Sequence, residues 1–348
     1  MASLGAIRPR TCIPALIALT LLVAACISGC GGGGDHTTSQ TTRAAGHTHQ
    51  AKVARARRAA VMRVSLRYRP LYTLPAPLRD PAFTALGDGR FIMLGGLDAA
   101  DVSASGIEVA DLHRVLHTGS LPGAQHDAQA ALLAGRVYVF GGGSTTELDH
   151  ILMYDPAVGR VSMAGSLAVP QSDVAVAPAG GTAYIVGGFD GTNYLNTIVA
   201  WRPGAKPAVV GHLPAGVRYA AATVAGNGLI VVGGVTPAGT SNAIYRFDLT
   251  THQVRRIGSL PHPTEHGNAT TLGPTVYMVG GRGPSTTDQT SAVYAIDPAT
   301  GRVRRAGRLP TPLSDAAAVT IGHAIVVAGG QSPTGTLDGV GELVPAGA

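Results

Sequence analysis

Short apolar runs and polar turns alternate along this chain under a longer period. Six times an apolar run ends in two glycines and gives way to a polar loop. FIML precedes Gly95–Gly96, VYVF precedes Gly141–Gly142 and AYIV precedes Gly187–Gly188, while IVV, YMV and VVA precede Gly233–Gly234, Gly280–Gly281 and Gly329–Gly330. Successive first glycines are 46, 46, 46, 47 and 49 residues apart. A fixed period of this size marks a repeat architecture whose units bury their surfaces against one another. The runs are apolar along their whole length, which predicts strands buried on both faces. The glycines predict a sharp exit with positive φ and a close backbone approach.

Each unit opens on a leucine-centred turn: Leu74–Pro75, Leu121–Pro122, Leu167 with Pro170, Leu213–Pro214, Leu260–Pro261 and Leu309–Pro310. Six residues after each leucine stands a polar or aromatic residue: Asp80, Asp127, Asp173, Tyr219, His266 and Asp315. A strand of small residues follows, for example 174-VAVAPA-179, then a glycine turn and the buried strand. A third strand comes after the polar loop, as in ILMYD, AIYRFD and AVYAID. Turns such as 155-DPAVGR-160 and 297-DPATGR-302 lead into a fourth. The sixth unit stops after three strands. The segment 63-RVSLRYRPLYTLP-75 resembles 302-RVRRAGRLP-310, so the amino-terminal strand is expected to complete the last unit and remove an open sheet edge.

Six four-stranded units with this glycine pair resemble the kelch family. The third unit, 187-GGFDGTNYLNTIVAW-201, carries the fullest version, and it alone has a tryptophan. The resemblance covers about residues 63–345. It implies an all-β fold: a six-bladed kelch-type β-propeller, with residues 63–348 forming the ring and the last blade closed by the N-terminal strand. It implies little about function, because one propeller hosts many activities.

Composition changes the picture ahead of the repeats. The net charge of +6 comes from the amino-terminal arm. Residues 31–69 carry Arg43, Lys52, Arg55, Arg57, Arg58, Arg63, Arg67 and Arg69 against Asp35 alone, whereas residues 70–348 hold 16 basic and 19 acidic groups. The repeats therefore have no basic excess with which to neutralise phosphates, and nucleic acid is not an expected partner. Residues 1–30 read as a targeting segment, with Arg8 and Arg10 ahead of an apolar run from Ile13 to Ala25. VAAC at Cys26 and ISGC at Cys30 resemble the lipobox of bacterial lipoproteins. Cys30, followed by 31-GGGG-34, is the preferred lipidation site and Cys26 its competitor; an ordinary cleaved signal peptide is the plain alternative. Residues 31–62 read as a basic, disordered tether, suited to anionic lipid or wall polymer or simply solvated. The expected location is extracytoplasmic, anchored to the outer face of the membrane, with secretion as the alternative. A monomer is expected.

All three cysteines lie in the first thirty residues. The repeats can form no disulfide, thiol nucleophile or cysteine–metal site, nor the tyrosine–cysteine copper cofactor of the galactose-oxidase branch of this fold. Lys52 and Lys206 are followed by valine and proline, so there is no P-loop, and no histidine precedes a glutamate in an HExxH motif. No cofactor and no metal is expected.

In such a blade the loop entering the first strand and the loop joining the second to the third emerge on one face. In kelch proteins that face commonly holds the ligand. The candidate binding ring is Arg79, Asp80, His126, Asp127, Asp173, Arg218, Tyr219, Glu265, His266 and Asp315, with Ser172 and Ser314 beside it. Asp98, Phe189, Asp190, Arg282 and Asp288 are candidate loop contacts. The shared aspartates also suit capping of local backbone N–H groups, which leaves Tyr219 and His266 as the residues with less structural reason to be there. Two functions fit. One is a non-catalytic module that binds a glycan, a cell-wall fragment or a partner protein. The other is a sugar isomerase resembling N-acetylneuraminate mutarotase, with His266, Glu265, Arg218 or Arg79 doing acid–base work and holding a carboxylate.

Overall fold

Each repeat folds into one antiparallel sheet, and six such four-stranded sheets follow one another along the chain. The structure is a computed structural model that describes residues 64–347; the expected leader, tether and lipidation cysteines lie outside the described residues. Blade 2 shows the pattern, with strands Gln129–Leu133, Arg136–Phe140, His150–Asp155 and Arg160–Ser166 paired in that order. The first strands, such as Ala82–Ala85 and Ala221–Ala225, contact one another around a central channel. In every blade the register slips by one residue between the third and fourth strands, for example at Ile151/Leu152 and Ile244/Tyr245. A bulge there increases the twist of the outer strand.

Six apolar clusters fill the six gaps between blades. Ile92, Ile107 and Val109 of blade 1 meet Val137, Val139 and Leu152 of blade 2, and Trp201 of blade 3 lies among Tyr138, Phe140 and Ile151. The gap between blades 6 and 1 is filled by Ile321, Val326 and Val340 against Phe83, Phe91 and Met93, so the ring is closed. Closure uses the predicted strand: Leu66–Thr73 pairs with Gly339–Pro345, from Leu66 opposite Pro345 to Thr73 opposite Gly339. The edge of Gly339–Pro345 is thereby covered, and Leu66–Thr73 becomes the outer strand of blade 6.

The leucine turns and glycine pairs tie these blades together. Each leucine is buried, and its N–H donates to the residue ahead of a third strand, as Leu121 does to Ser105 and Leu260 to Asn242. A Cβ added to the first glycine of any pair would lie 2.1–2.4 Å from a backbone carbonyl of the next blade, such as that of Gln171 for Gly141. The second glycine donates its N–H to that same carbonyl; Gly142 reaches Gln171 at 2.9 Å. All twelve have positive φ. The glycines are thus the joints between blades, which no larger residue could make. The tight turns follow the aspartate signal as well. Asp155, Asp248 and Asp297 each accept a hydrogen bond from the N–H two residues on.

Two features lie beyond the sequence reading. Small hairpins, Val235–Thr236 with Gly239–Thr240 and Gln331–Ser332 with Gly335–Thr336, rise from the loops after the glycines in blades 4 and 6. The wider part of the channel, about 440 Å³, is lined by small residues and threonines. Its hydroxyls bond one another, Thr223 with Thr271 at 3.1 Å and Thr270 with Thr320 at 3.0 Å.

Candidate functional site

The residue that opens each blade sits where two loops meet. Backbone bridges join Arg79 to Leu97, His126 to Gly143, Ser172 to Phe189, Arg218 to Val235, Glu265 to Arg282 and Ser314 to Gln331. The entry loop and the loop after the glycines therefore share one face, and the next residue in each blade points into the channel. Asp80, Asp127, Asp173, Tyr219, His266 and Asp315 converge on a throat of about 60 Å³. That volume holds a few water molecules and no sugar ring.

All six have positive φ, between 50° and 58°. Their backbones form a belt: Asp173 donates to the Asp127 carbonyl, Tyr219 to Asp173, His266 to Tyr219, Asp315 to His266 and Asp80 to Asp315. This revises two expectations. The aspartate side chains of the ring do not cap local N–H groups; aspartate is favoured because it tolerates the left-handed region. Histidine is tolerated there too, so His266 has the same structural reason as its neighbours. Tyr219 is the residue held at a cost, and it is held by contacts: its ring stacks on His266 at 3.6 Å, and its hydroxyl accepts from Arg218 Nη2 at 2.8 Å.

Most of the charged groups find partners among themselves, but His266 Nε2 and the Nε atoms of Arg79 and Arg218 are buried without a hydrogen bond. Arg218 Nη2 lies 2.5 Å from Asp173 Oδ2, and Arg79 reaches Asp80 at 3.1 Å and Asp101 at 2.6 Å. His266 Nδ1 and Ser314 Oγ both bond Asp315. Glu265 accepts from Arg282 at 3.0 Å and from Thr240 at 2.7 Å. His126 turns away to Ser103 at 2.9 Å, with Nε2 3.6 Å from Asp127.

Burial, and then the neighbouring carboxylates, push Asp80 and Asp127 well above the usual carboxylate range. Each shares a hydrogen bond with a second carboxyl group, Asp80 with Asp315 and Asp127 with Asp173. Burial also raises Asp173, against the pull of Arg218. Burial pushes Asp315 the same way, but the bond and charge of His266 and the Ser314 hydroxyl hold it below the usual range. Burial and the surrounding aspartates raise the Tyr219 phenol, and burial lowers His126. Asp80 and Asp127 therefore keep their protons to higher pH than ordinary carboxylates, as crowded like charges require.

Asp80, His266 and Asp315 also have donor atoms within 4.8 Å of one another, so these three could hold a cation. His126 does not join them. A cation would have to displace the bonds that His266 and Ser314 already make to Asp315.

Above the throat lies a cluster that the sequence reading found only in part. The Arg218 guanidinium sits 4.5 Å from the Phe189 ring, 4.5 Å from Tyr219 and 5.6 Å from Tyr194. Phe189 and Tyr194 meet edge to face at 5.8 Å and are half-exposed. Tyr194 was legible as part of the fullest repeat, but its contact with the next blade was not. Of the other loop candidates, Asp98 and Asp190 close their own turns, on Ala100 and Val102 and on Thr192 and Asn193. Asp288 is exposed. With His262 and Arg282 it lines a surface cavity of about 320 Å³ beside the longest loop.

Comparison with known proteins places this geometry. The kelch motif model matches residues 217–261, the end of blade 4's entry loop through its fourth strand. None of the curated proteins matches the chain. Among solved structures the chain is similar to YjhT, with a TM-score of 0.67 and 15% identity over 78% of this chain and 96% of that one. It is one of 1021 matching solved chains, a breadth that marks a shared fold and no single activity.

Proposed function

We propose that this six-bladed kelch-type propeller is an extracytoplasmic, membrane-anchored binding protein, whose ligand is a glycan, a cell-wall fragment or a partner protein docked over the throat face. The observation that carries this reading is the contrast between the throat and its rim. The throat is small, and most of its charged groups have an ion-pair or hydrogen-bond partner, while His266 Nε2 and the Nε atoms of Arg79 and Arg218 are buried without one. Small-molecule sites usually offer about 300–1,000 Å³, a size the channel reaches only beyond the throat. The rim instead presents half-exposed Phe189 and Tyr194 beside Arg218, the residue types that dominate binding surfaces. The anchored location rests on the lipobox-like sequences at Cys30 and Cys26.

The isomerase reading keeps one support. His266 and Glu265 lie beside Asp80 and Asp127, whose carboxyl groups burial raises, and perturbed carboxyl groups gather at catalytic sites. It requires the throat to open.

A thermal-shift screen against free sugars, sialic acids, wall fragments and candidate extracellular proteins tests both readings. A ligand at a hundred times its dissociation constant should stabilise the fold by about 2.7 kcal/mol. A shift lost in Phe189→Ala and kept in Asp127→Asn supports docking on the rim. A shift from a small sugar that is lost in Asp127→Asn and His266→Asn, together with faster anomer exchange, would replace this reading with the isomerase.

A further inference from the structure

The fourth strands form the perimeter of the ring, and their charges are unevenly distributed. On blades 4, 5 and 6 they carry Arg255 and Arg256, then Arg304, Arg305 and Arg308 with Arg302 just ahead, then Arg67 and Arg69. On blades 1, 2 and 3 the corresponding strands and their entry turns offer only Arg114, Arg160, Arg202 and Lys206 as full positive charges. All the arginines of the first set are exposed except Arg304, which is half-buried. Of these strip arginines, only Arg69 has a carboxylate within ion-pair distance among the described residues, Glu342 at 3.4 Å.

These strands are neighbours in space. Arg304 donates to the Val64 carbonyl, and Gly258 of blade 4 lies so close to Gly301 of blade 5 that an added Cβ would sit 2.3 Å from its carbonyl. The result is one continuous basic strip on the convex edge of half the ring. The most exposed large apolar side chains (Val102, Val158, Met163, Val169 and Val209) all belong to blades 1–3. The chain enters this strip directly from a segment bearing Lys52, Arg55, Arg57, Arg58 and Arg63.

We propose that the perimeter of blades 4–6 docks the propeller edge-on against an anionic lipid bilayer. A convex, uncompensated arginine strip without insertable apolar groups suits a flat anionic surface that is held by charge alone. Continuity with the basic segment adds to the same attraction. Edge-on docking leaves the throat face at right angles to the surface and open to a ligand. The proposal stands whether or not Cys26 or Cys30 is lipidated, and whatever binds at the throat.

Co-sedimentation with vesicles tests it. Residues 31–348 are suitable, because all six apolar clusters and the closing strand lie within residues 66–344. The chain should bind phosphatidylglycerol-containing vesicles at low salt, release at high salt, and ignore vesicles of phosphatidylcholine alone. Each arginine near such a surface contributes about five-fold in affinity, so Arg255→Gln with Arg305→Gln and Arg308→Gln should weaken binding roughly 100-fold. The same loss of charge on the other side, Arg114→Gln with Arg160→Gln and Lys206→Gln, should change it only a few-fold. Melting temperatures of both variants should match the parent. Equal losses in the two variants, or no binding by the parent chain, would overturn the proposal. So would binding of soluble polyphosphate with none to the vesicles, which would assign the strip to a soluble polyanion.

Discussion

Substituting Gly141 by alanine tests the claim that the glycine pairs are the joints of the ring. Gly141 has φ of 58°, and a Cβ there would meet the Gln171 carbonyl oxygen at 2.2 Å and that of Leu148 at 3.3 Å. The left-handed conformation alone costs an alanine about 1–2 kcal/mol. Relieving the clash means moving the entry turn of the next blade, an overpacking cost of about 1–3 kcal/mol. It also weakens the 2.9 Å bond from Gly142 N–H to the same carbonyl, worth about 1 kcal/mol. The sum is about 3–6 kcal/mol. Gly180 supplies the control: its φ is 55°, but nothing lies within 4 Å of an added Cβ. Gly180→Ala should therefore show the conformational term alone, about 1–2 kcal/mol. Thermal unfolding followed by circular dichroism separates the two, since each kcal/mol moves the midpoint by about 2–4 °C in a domain of this size class. Equal shifts for the two variants would refute the reasoning, because the contact with the next blade would then contribute nothing.

Four further outcomes follow from the packing and the throat. Phe140→Ala removes a fully buried ring 5.4 Å from Trp201, and should cost about 3–5 kcal/mol while changing the emission of the chain's single tryptophan. Asp127 is raised in the folded state, so the folded protein holds that proton above the unfolded value of about 3.9 and loses stability as pH rises through that window. Asp127→Asn should flatten the decline in denaturant midpoint between pH 4 and neutrality. Asp315 is depressed and contributes in the opposite sense, so Asp315→Asn should remove stability that the parent has above pH 4 and loses on acidification. Truncation to begin at Leu74 strips the partner from Gly339–Pro345, and should give aggregation or edge-paired dimers by light scattering.

The fold was legible because its rules are local and repeated. The glycine pairs, the leucine turns and the small-residue strands each recur at fixed offsets, and the orphan strand before Leu74 announced ring closure. The throat was legible as a position, since the sixth residue after each leucine lands in it. What those residues do there was not. Their shared positive φ and backbone belt join residues 46–49 positions apart, and Asp80 with Asp315 across the whole ring, a relation no local pattern expresses. The pairing of Arg218 with Phe189 and Tyr194 crosses from blade 4 to blade 3, and Asp101 reaches Arg79 across a loop. The perimeter strip was hidden in the same way. Its arginines were visible in Arg302–Arg308 and Arg67–Arg69, but only closure of the ring brings the two ends of the chain side by side.

Photo-crosslinking on intact cells tests the central claim most directly. A photoreactive residue placed at Phe189 stands on the throat rim, and one at Val158 stands on a turn at the opposite end of blade 2. Docking over the throat predicts a discrete adduct from position 189 that disappears with Arg218→Ala, and none from position 158. The same adduct from both positions, or from position 158 alone, would contradict it.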